Sequence, residues 1–395
     1  MVTRRALLRA GGGMAATILS GSLLTRSRPA QAQVLEEIQR VVDDYYAHSM
    51  GGRRARVGVT VGIALPDSGD RGRFVFAGGQ TLTNPGGQHL PLNEHTHFEI
   101  GSISKVFTSG MYYMLHGPYE GTLGSHLGDR LRMSPAVADI TLRNLAVYRP
   151  GFAQDNRGGV YPPRIMRSLP NLFDFLSHFR PPFPQGTCYA YSNLGWSLLG
   201  MATVRQANLD TAAYAEHYNT ELQRFCRGFG ANNTQVFHPR LKPHLPTGYT
   251  RRFVALPQES NYQPARDAGY ASGGIVSTGA DMMQFLLYNM GRLPGGLNDR
   301  ALAYQQTDAM QTPPCSGNGP GPMTSYGWFH AKVPTPDGET IVLNKNGGVA
   351  GFTSWMGYVA WQGSGAPSRL GVFVLSNSPA STRLGNRIMR LLLHA

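Results

Sequence analysis

Strand-like runs stand at both ends of this 395-residue chain, and helical runs and long loops fill the stretch between them. Val57–Leu65 and Phe74–Ala77 are rich in β-branched and aromatic residues and flank a turn around Asp67-Ser68-Gly69-Asp70, the pattern of two paired strands. Ile341–Asn344, Phe352–Val359 and Leu370–Ser376 repeat the signal near the other end. Helical periods of three and four run through Val34, Leu35, Ile38, Val41, Val42 and Tyr45, and after Ser102 through Ile103, Val106, Phe107, Met111, Met114 and Leu115. Further helices are expected at Leu172–Phe179, Leu194–Ala202, Ala280–Asn289 and from about Thr382 to Leu393. This order predicts an α+β fold. Both chain ends (about 33–117 and 271–395) build an α/β lobe, and residues 118–270 form an inserted, mostly helical lobe. A cleft between two such lobes is a natural place for a site.

The first 32 residues read as an export signal instead of part of the fold. Thr3-Arg4-Arg5-Ala6-Leu7-Leu8 resembles a twin-arginine leader, Ala15–Leu24 is a short apolar run, and Ala30-Gln31-Ala32 offers a small-x-small cleavage site. An uncleaved anchor would need about 20 apolar residues to span a bilayer, which this run does not supply. A periplasmic or secreted domain over 33–395 is therefore expected. The formal charge is +13; removing the five arginines of residues 1–32, which contain no acid, leaves +8. Such a surface favours anionic surroundings, a cell-wall polymer or lipid headgroups. The arginines are scattered, with no basic helix or aromatic-interleaved patch, which argues against nucleic acid.

Three cysteines, Cys188, Cys226 and Cys315, allow at most one disulfide and match no metal spacing. His95-x-His97 lacks a third ligand at suitable spacing, so neither a metal nor another cofactor is expected.

Only four of the 36 basic Lys+Arg residues are lysines: Lys105, Lys242, Lys332 and Lys345. Arginine does not give up its proton in a protein, whereas a lysine amine can be tuned to do so. Lys105 closes Ser102-Ile103-Ser104-Lys105 and Lys345 opens Lys345-Asn346-Gly347-Gly348, in front of a strand-like run; Tyr191-Ser192-Asn193 lies between them. At a helix start the Ser102 hydroxyl gains from the positive end of the helix, and free backbone N–H groups there can hold an oxyanion. An amine one turn on can take the hydroxyl proton if burial or a second cation lowers its pKa. A tyrosine flanked by two ammonium groups can serve as a general base, and Asn193 is expected to cap the helix that follows. Serine, two lysines and tyrosine in this order point to acyl transfer through a serine nucleophile.

The set resembles the S-x-x-K, S-D-N and K-T-G signatures of penicillin-binding proteins and β-lactamases. Its middle element Y-S-N is similar to the class C β-lactamase branch with its carboxypeptidase and esterase relatives. Phe98 to Lys105, Pro184 to Asn193, Ser272-Gly273-Gly274-Ile275-Val276-Ser277-Thr278 with Asp281-Met282-Met283, and Lys345 to Phe352 all resemble segments of that branch. The contexts around Asp281 and Tyr326-Gly327-Trp328 are most like the AmpH-type D-alanyl-D-alanine carboxypeptidase/endopeptidases. The resemblance runs from about residue 40 to the end. It implies a β-lactamase/transpeptidase-like fold, with an antiparallel sheet flanked by helices and the helical lobe inserted.

The resemblance further implies roles. Ser102 would be acylated, with Lys105 as its proton partner. Tyr191 would pass protons to the leaving amine, and Lys345 would orient Tyr191 and attract a substrate carboxylate. Asn193 would hold the substrate amide. The N–H groups of Ser102 and Gly348 would form the oxyanion hole, and Asn346 and Gly347 would line the substrate strand. The expected activity is a D-alanyl-D-alanine carboxypeptidase/endopeptidase of peptidoglycan, with a class C-like β-lactamase or a carboxylesterase as alternatives and a non-catalytic penicillin-binding sensor as the reading from another class. The expected partners are D-Ala-D-Ala peptides, β-lactams or esters. Two departures stand out. Asn346 replaces the usual Thr, which binds the carboxylate, and Tyr148-Arg149-Pro150-Gly151 replaces a frequent H-T-S-G, a change expected to reshape the cleft wall without touching the chemistry.

Overall fold

In a computed structural model of the chain, residues 28–395 are described except 50–55, 67, 69–71, 79–80, 129–130, 157–158, 163–164, 257–266, 294–304, 307, 361–367 and 380. Most of the expected export segment and the turn residues Asp67, Gly69 and Asp70 thus lie outside the described residues. Helix α1 (Arg28–Ser49) already includes Ala30-Gln31-Ala32.

Eight antiparallel strands form the main sheet in the order β2-β1-β13-β12-β11-β10-β9-β8. Strands β1 (Gly58–Ala64) and β2 (Arg73–Gly78) come from the front of the chain. The others come from its end: β8 (Met310–Gln311), β9 (Met323–Thr324), β10 (Phe329–Thr335), β11 (Gly338–Val349), β12 (Phe352–Val359) and β13 (Gly371–Ser376). The two groups meet where β1 pairs with β13, Val59 opposite Ser376 and Ile63 opposite Val372. Strands β3 (Thr81–Thr83) and β4 (His89–Pro91) form a small hairpin. A three-stranded sheet β5-β7-β6 is made of His97–Glu99, Ile275–Thr278 and Gln235–Val236.

Helices cover the main sheet on both faces, so its central strands are apolar on both. Val59, Val61, Ile63, Val372 and Val374 pack with Ile38 and Val42 of α1 and with Leu384, Ile388 and Leu392 of α11 (Ser381–His394). The alternate residues Phe373 and Leu375 join the larger core on the other face. There they meet α2 (Ser104–His116) and α10 (Gly279–Asn289). Gly62 is required by this packing, because a Cβ there would lie 2.0 Å from the Phe373 ring. Between β5 and β7 the chain carries α3 (Leu123–Leu127), α4 (Pro135–Ala138), α5 (Leu142–Ala146), α6 (Leu169–His178), α7 (Asn193–Thr203), α8 (Thr211–Arg227) and α9 (Tyr270–Gly273).

The structure corrects one sequence expectation about the strands. The strand expected over Ile341–Asn344 is longer at both ends: β11 begins at Gly338 and continues through Lys345 to Val349, because the ladder with β12 runs on past Asn344 to Val349 opposite Phe352. Past residue 291, the short strands β8 and β9 extend the edge of the sheet.

Cys188 and Cys315 form a disulfide across a separation of 127 residues, while Cys226 is buried and free. Two backbone hydrogen bonds flank it, Tyr189 N to Pro313 O (2.8 Å) and Cys315 N to Tyr189 O (2.9 Å). Cross-linking residues so far apart removes much of the unfolded chain's freedom. Replacing both cysteines by alanine should therefore lower the unfolding free energy by about 2–5 kcal/mol, read from urea midpoints with and without reductant. Equal midpoints for the parent and the double variant would show that the bridge adds no stability.

Candidate active site

The turn carrying Ser102 is built by the small sheet and by a glycine. Strand β5 pairs with β7, and the ladder is extended where Ile100 N donates to Ile275 O (3.0 Å). The chain then reverses at Gly101, whose φ of +52° suits glycine. A Cβ there would also lie 2.6 Å from the Gly348 nitrogen. Residues Gly101–Ile103 form a 3-10 turn that runs directly into α2. Ser102 therefore sits on the tight entry turn, one step before the α-helix proper. It is half-buried, whereas Lys105, one turn on, is 0% exposed.

Lys105 Nζ lies 3.1 Å from Ser102 Oγ and 2.9 Å from Asn193 Oδ1, and it also donates to the Ser272 carbonyl of α9. Burial holds its pKa well below the ordinary lysine value, and the neighbouring Lys345 lowers it further; Asp155 pulls the other way. A neutral amine fits this setting: two N–H groups for Asn193 and Ser272, and a lone pair toward the Ser102 hydroxyl.

Tyr191 is 9% exposed, and both lysines approach its ring, Lys105 Nζ at 4.9 Å and Lys345 Nζ at 5.2 Å from the centroid. Asn193, expected as a helix cap, is instead the first helical residue of α7. The cap is Ser192, whose Oγ accepts from Gly195 N (3.1 Å). Placing Asn193 inside the helix turns its side chain toward Lys105. Asp155, which the sequence reading did not single out, takes the remaining donors of this turn: Asn193 N at 2.6 Å, Leu194 N at 2.9 Å and Ser192 Oγ at 3.1 Å.

Tyr148 was expected only to shape the cleft wall. Its ring stacks 5.4 Å from that of Tyr191, and its hydroxyl donates to Gly327 O (2.8 Å). Its φ of +63° is unusual for a bulky residue. Burial raises its pKa, so the phenol stays protonated as a donor. A tyrosine beside a positive-φ glycine motif gives little sequence signal; the departure from H-T-S-G at this position was the available clue.

On β11, Lys345 is 0% exposed, and burial pushes its pKa down to about 7. Its Nζ donates to Asn346 O (2.7 Å) and lies 5.3 Å from the Phe329 ring. Asn346 is exposed and stands opposite Trp355, which packs with the α11 side of the sheet; Lys345 stands opposite Met356, in the core on the other side. Alternation along the strand therefore points the Lys345 and Asn346 side chains to opposite faces. Gly347 admits no side chain, since a Cβ would lie 2.0 Å from Ile100 O, and the Gly348 nitrogen abuts Gly101 beside Ser102. Strand β10 pairs with β11 only up to Phe329 opposite Asn344. The structure thus gathers Ser102, Lys105, Tyr191, Asn193, Lys345, Gly347 and Gly348, with Asn346 on the outer side of the same strand. The group can activate a hydroxyl, shuttle its proton and stabilise an anion. Among the described residues no cluster of three or more His, Cys, Asp or Glu is placed to hold a metal.

The beta-lactamase family model matches residues 39–395. The D-alanyl-D-alanine-carboxypeptidase/endopeptidase AmpH of Escherichia coli K12 is 26% identical, over 93% of this chain and 92% of that protein. A beta-lactamase of Providencia stuartii is 25% identical over 51% of this chain; that match spans about half of the relative's length (49%). Among solved structures, the D-alanine carboxypeptidase AmpC of Burkholderia cenocepacia superposes with a TM-score of 0.66 at 18% identity, covering 92% of this chain and 99% of that one. This likeness concerns the fold: an antiparallel sheet with helices, as in β-lactamase/transpeptidase-like proteins.

Burying Lys345 costs stability in a pH-dependent way. Its pKa is about 7 in the folded chain and about 10.4 when unfolded. Between those values the unfolded state binds more protons, so stability rises with pH; at and below about pH 7 the full cost is present. Lys345→Met should stabilise the fold by ~1–3 kcal/mol at pH 7, with the gain shrinking toward pH 10 in urea titrations. A gain independent of pH would mean that packing, not charge burial, accounts for it.

Proposed function

The chain belongs to the beta-lactamase family, and we propose that it is an exported serine acyl-hydrolase that works through an acyl-enzyme on D-alanyl-D-alanine peptides of the cell wall. The observation that carries this reading is the buried Lys105 amine, 3.1 Å from the half-buried Ser102 hydroxyl. Ser102 Oγ attacks the substrate carbonyl while its proton passes to Lys105 Nζ. The backbone N–H groups of Ser102 and Gly348 receive the developing oxyanion. Tyr191 delivers a proton to the leaving D-alanine amine and is reprotonated by the proton that Lys105 took from Ser102, while Lys345 orients the Tyr191 ring. Asn193 holds the substrate amide. Lys345 and the edge of β11 around Asn346 and Gly347 face the terminal carboxylate. Water then attacks the ester on Ser102 and returns the free serine.

Several observations support the wider reading. AmpH, similar over nearly its whole length, is a carboxypeptidase/endopeptidase by its name. The Cys188–Cys315 bridge suits an oxidising compartment, as does the twin-arginine pattern of residues 1–32. A charge of +8 on residues 33–395 favours association with an anionic wall polymer or membrane surface. Among the described residues no helix is long and apolar enough to cross a membrane. In this reading residues 33–395 work as one unit, with 118–270 as its helical lobe.

Incubation with a fluorescent penicillin should leave an adduct on Ser102 of the parent and none on Ser102→Ala. An adduct persisting on that variant would overturn the assignment. Lys105→Arg keeps the charge but cannot take the proton, so its acylation rate should fall nearly as far as that of Lys105→Ala; retention of most of the rate would reduce Lys105 to an electrostatic helper. Release of D-alanine from a D-Ala-D-Ala peptide, with slow loss of the penicillin adduct, supports the peptidase. Rapid penicillin turnover without peptide cleavage would transfer the chain to the β-lactamases.

A further inference from the structure

Asp155 lies in the loop after α5, outside every motif named above, yet its carboxylate is the anchor of the Tyr191-Ser192-Asn193 turn. The first N–H groups of a helix have no partner within it. In α7 they are met by a divided cap. Asp155 Oδ1 takes Asn193 N (2.6 Å) and Oδ2 takes Leu194 N (2.9 Å), while Ser192 Oγ takes Gly195 N (3.1 Å). The Ser192 hydroxyl spends its own proton on Asp155 Oδ2 (3.1 Å), which leaves its lone pairs aimed at Gly195. Asp155 N closes the arrangement by donating to Tyr191 O (3.1 Å). All three residues of the turn are therefore tied to one loop residue some forty positions earlier in the chain.

We propose that Asp155 is a positioning residue that fixes this turn and thereby sets the Asn193 carboxamide and the Tyr191 ring against Lys105. The inference rests on the acyl-hydrolase reading above. Two contacts transmit the effect: Asn193 Oδ1 lies 2.9 Å from Lys105 Nζ, and the Tyr191 ring centroid lies 4.9 Å from it. The second action is electrostatic. The ionisable groups around Lys105 are Lys345 on β11, Tyr191 in the turn and Asp155 in the loop; Tyr161 lies close enough to Asp155 to feel its charge. Lys345 favours the neutral amine and Asp155 opposes it. Burial pushes the Asp155 carboxyl up, and the N–H groups of Leu194 and Asn193 and the Lys105 charge hold it back. An asparagine at 155 would offer one acceptor oxygen and an NH2 group where the carboxylate serves three donors.

The test is the second-order rate of Ser102 acylation by a fluorescent penicillin, measured from pH 5 to 10 on the full-length protein. Asp155→Asn should lower the rate about 100-fold, the scale of a small misplacement of reacting groups. It should also move the acidic limb of the profile to lower pH, because loss of the negative charge eases deprotonation of Lys105. Ser192→Ala, which removes half of the cap but keeps the charge, should lower the melting temperature and leave the limb in place. A bare helix cap would predict the same profile for both variants, and that outcome overturns the proposal, as does an unchanged acylation rate in Asp155→Asn. If Asp155→Asn does not fold, Asp155→Glu keeps the charge but shifts it by one methylene; slowed acylation with an unmoved limb is expected, and an unaltered rate overturns the proposal. Absence of acylation in the parent itself would instead strike the acyl-hydrolase reading.

Discussion

Two lysine amines are buried in the same site, and the surrounding structure is arranged to keep them there. Both are 0% exposed, and each would lose the hydration of its charge if it stayed protonated. Burial and mutual repulsion push the Lys105 amine toward neutrality, and burial alone brings Lys345 to about 7. What offsets the cost is a ring of fixed acceptors: the Asn193 amide oxygen and the Ser272 carbonyl for Lys105, the Asn346 carbonyl for Lys345, and the Tyr191 face for both. Those acceptors come from four separate elements. The helix starts, the strand pairing and the loop around Asp155 must all be right before either lysine has a partner. Neutral acceptors touch both amines directly, and the Asp155 charge acts on Lys105 only through space, which keeps the amines poised to trade protons.

Such a site is held by rigid turns. Gly101 and Gly347 allow the serine turn and β11 to approach closer than any side chain would permit. Tyr148 accepts an unfavourable backbone angle, and its ring and hydroxyl fix the far side of Tyr191. Strain at such a position is retained where the surroundings over-determine it; here stacking on one side and the Gly327 carbonyl on the other do so.

Much of this was legible in the chain because it depends on local pattern. The run after Ser102 has a helical period, and α2 follows it; Phe352–Val359 was placed residue for residue as β12. The order of serine, lysine, tyrosine and lysine was readable because lysine is so scarce in this sequence. The parts that escaped are those made by distant pairings. Which cysteine partners which depends on the 308–325 segment lying beside the Tyr191 turn, a contact with no local signature. Ser192 and Asn193 were confused as cap because either residue type caps well, and only the Asp155 carboxylate, arriving from another loop, decides between them. The strand expected to end at Asn344 runs on through Lys345 although Asn and Gly follow it, because pairing with β12 overrides their local preference.

The join between β1 and β13 has a consequence for how the protein must be made. Val59, Val61 and Ile63 are covered only when Val372 and Val374 lie beside them and α11 closes over both. Asn377 then bolts the seam: its amide donates to Arg56 O and Thr247 O, and its oxygen accepts from Gly58 N (2.8 Å). At synthesis rates of roughly 5–20 residues per second, the first strands wait on the order of 15–60 s for their neighbour. During that interval the apolar β1, paired with β2 on one edge only, is a ready template for mispairing on the other. The nascent chain therefore needs sheltering until translation is complete, and truncations near the C-terminus should be lost to aggregation or degradation and leave no partly active enzyme.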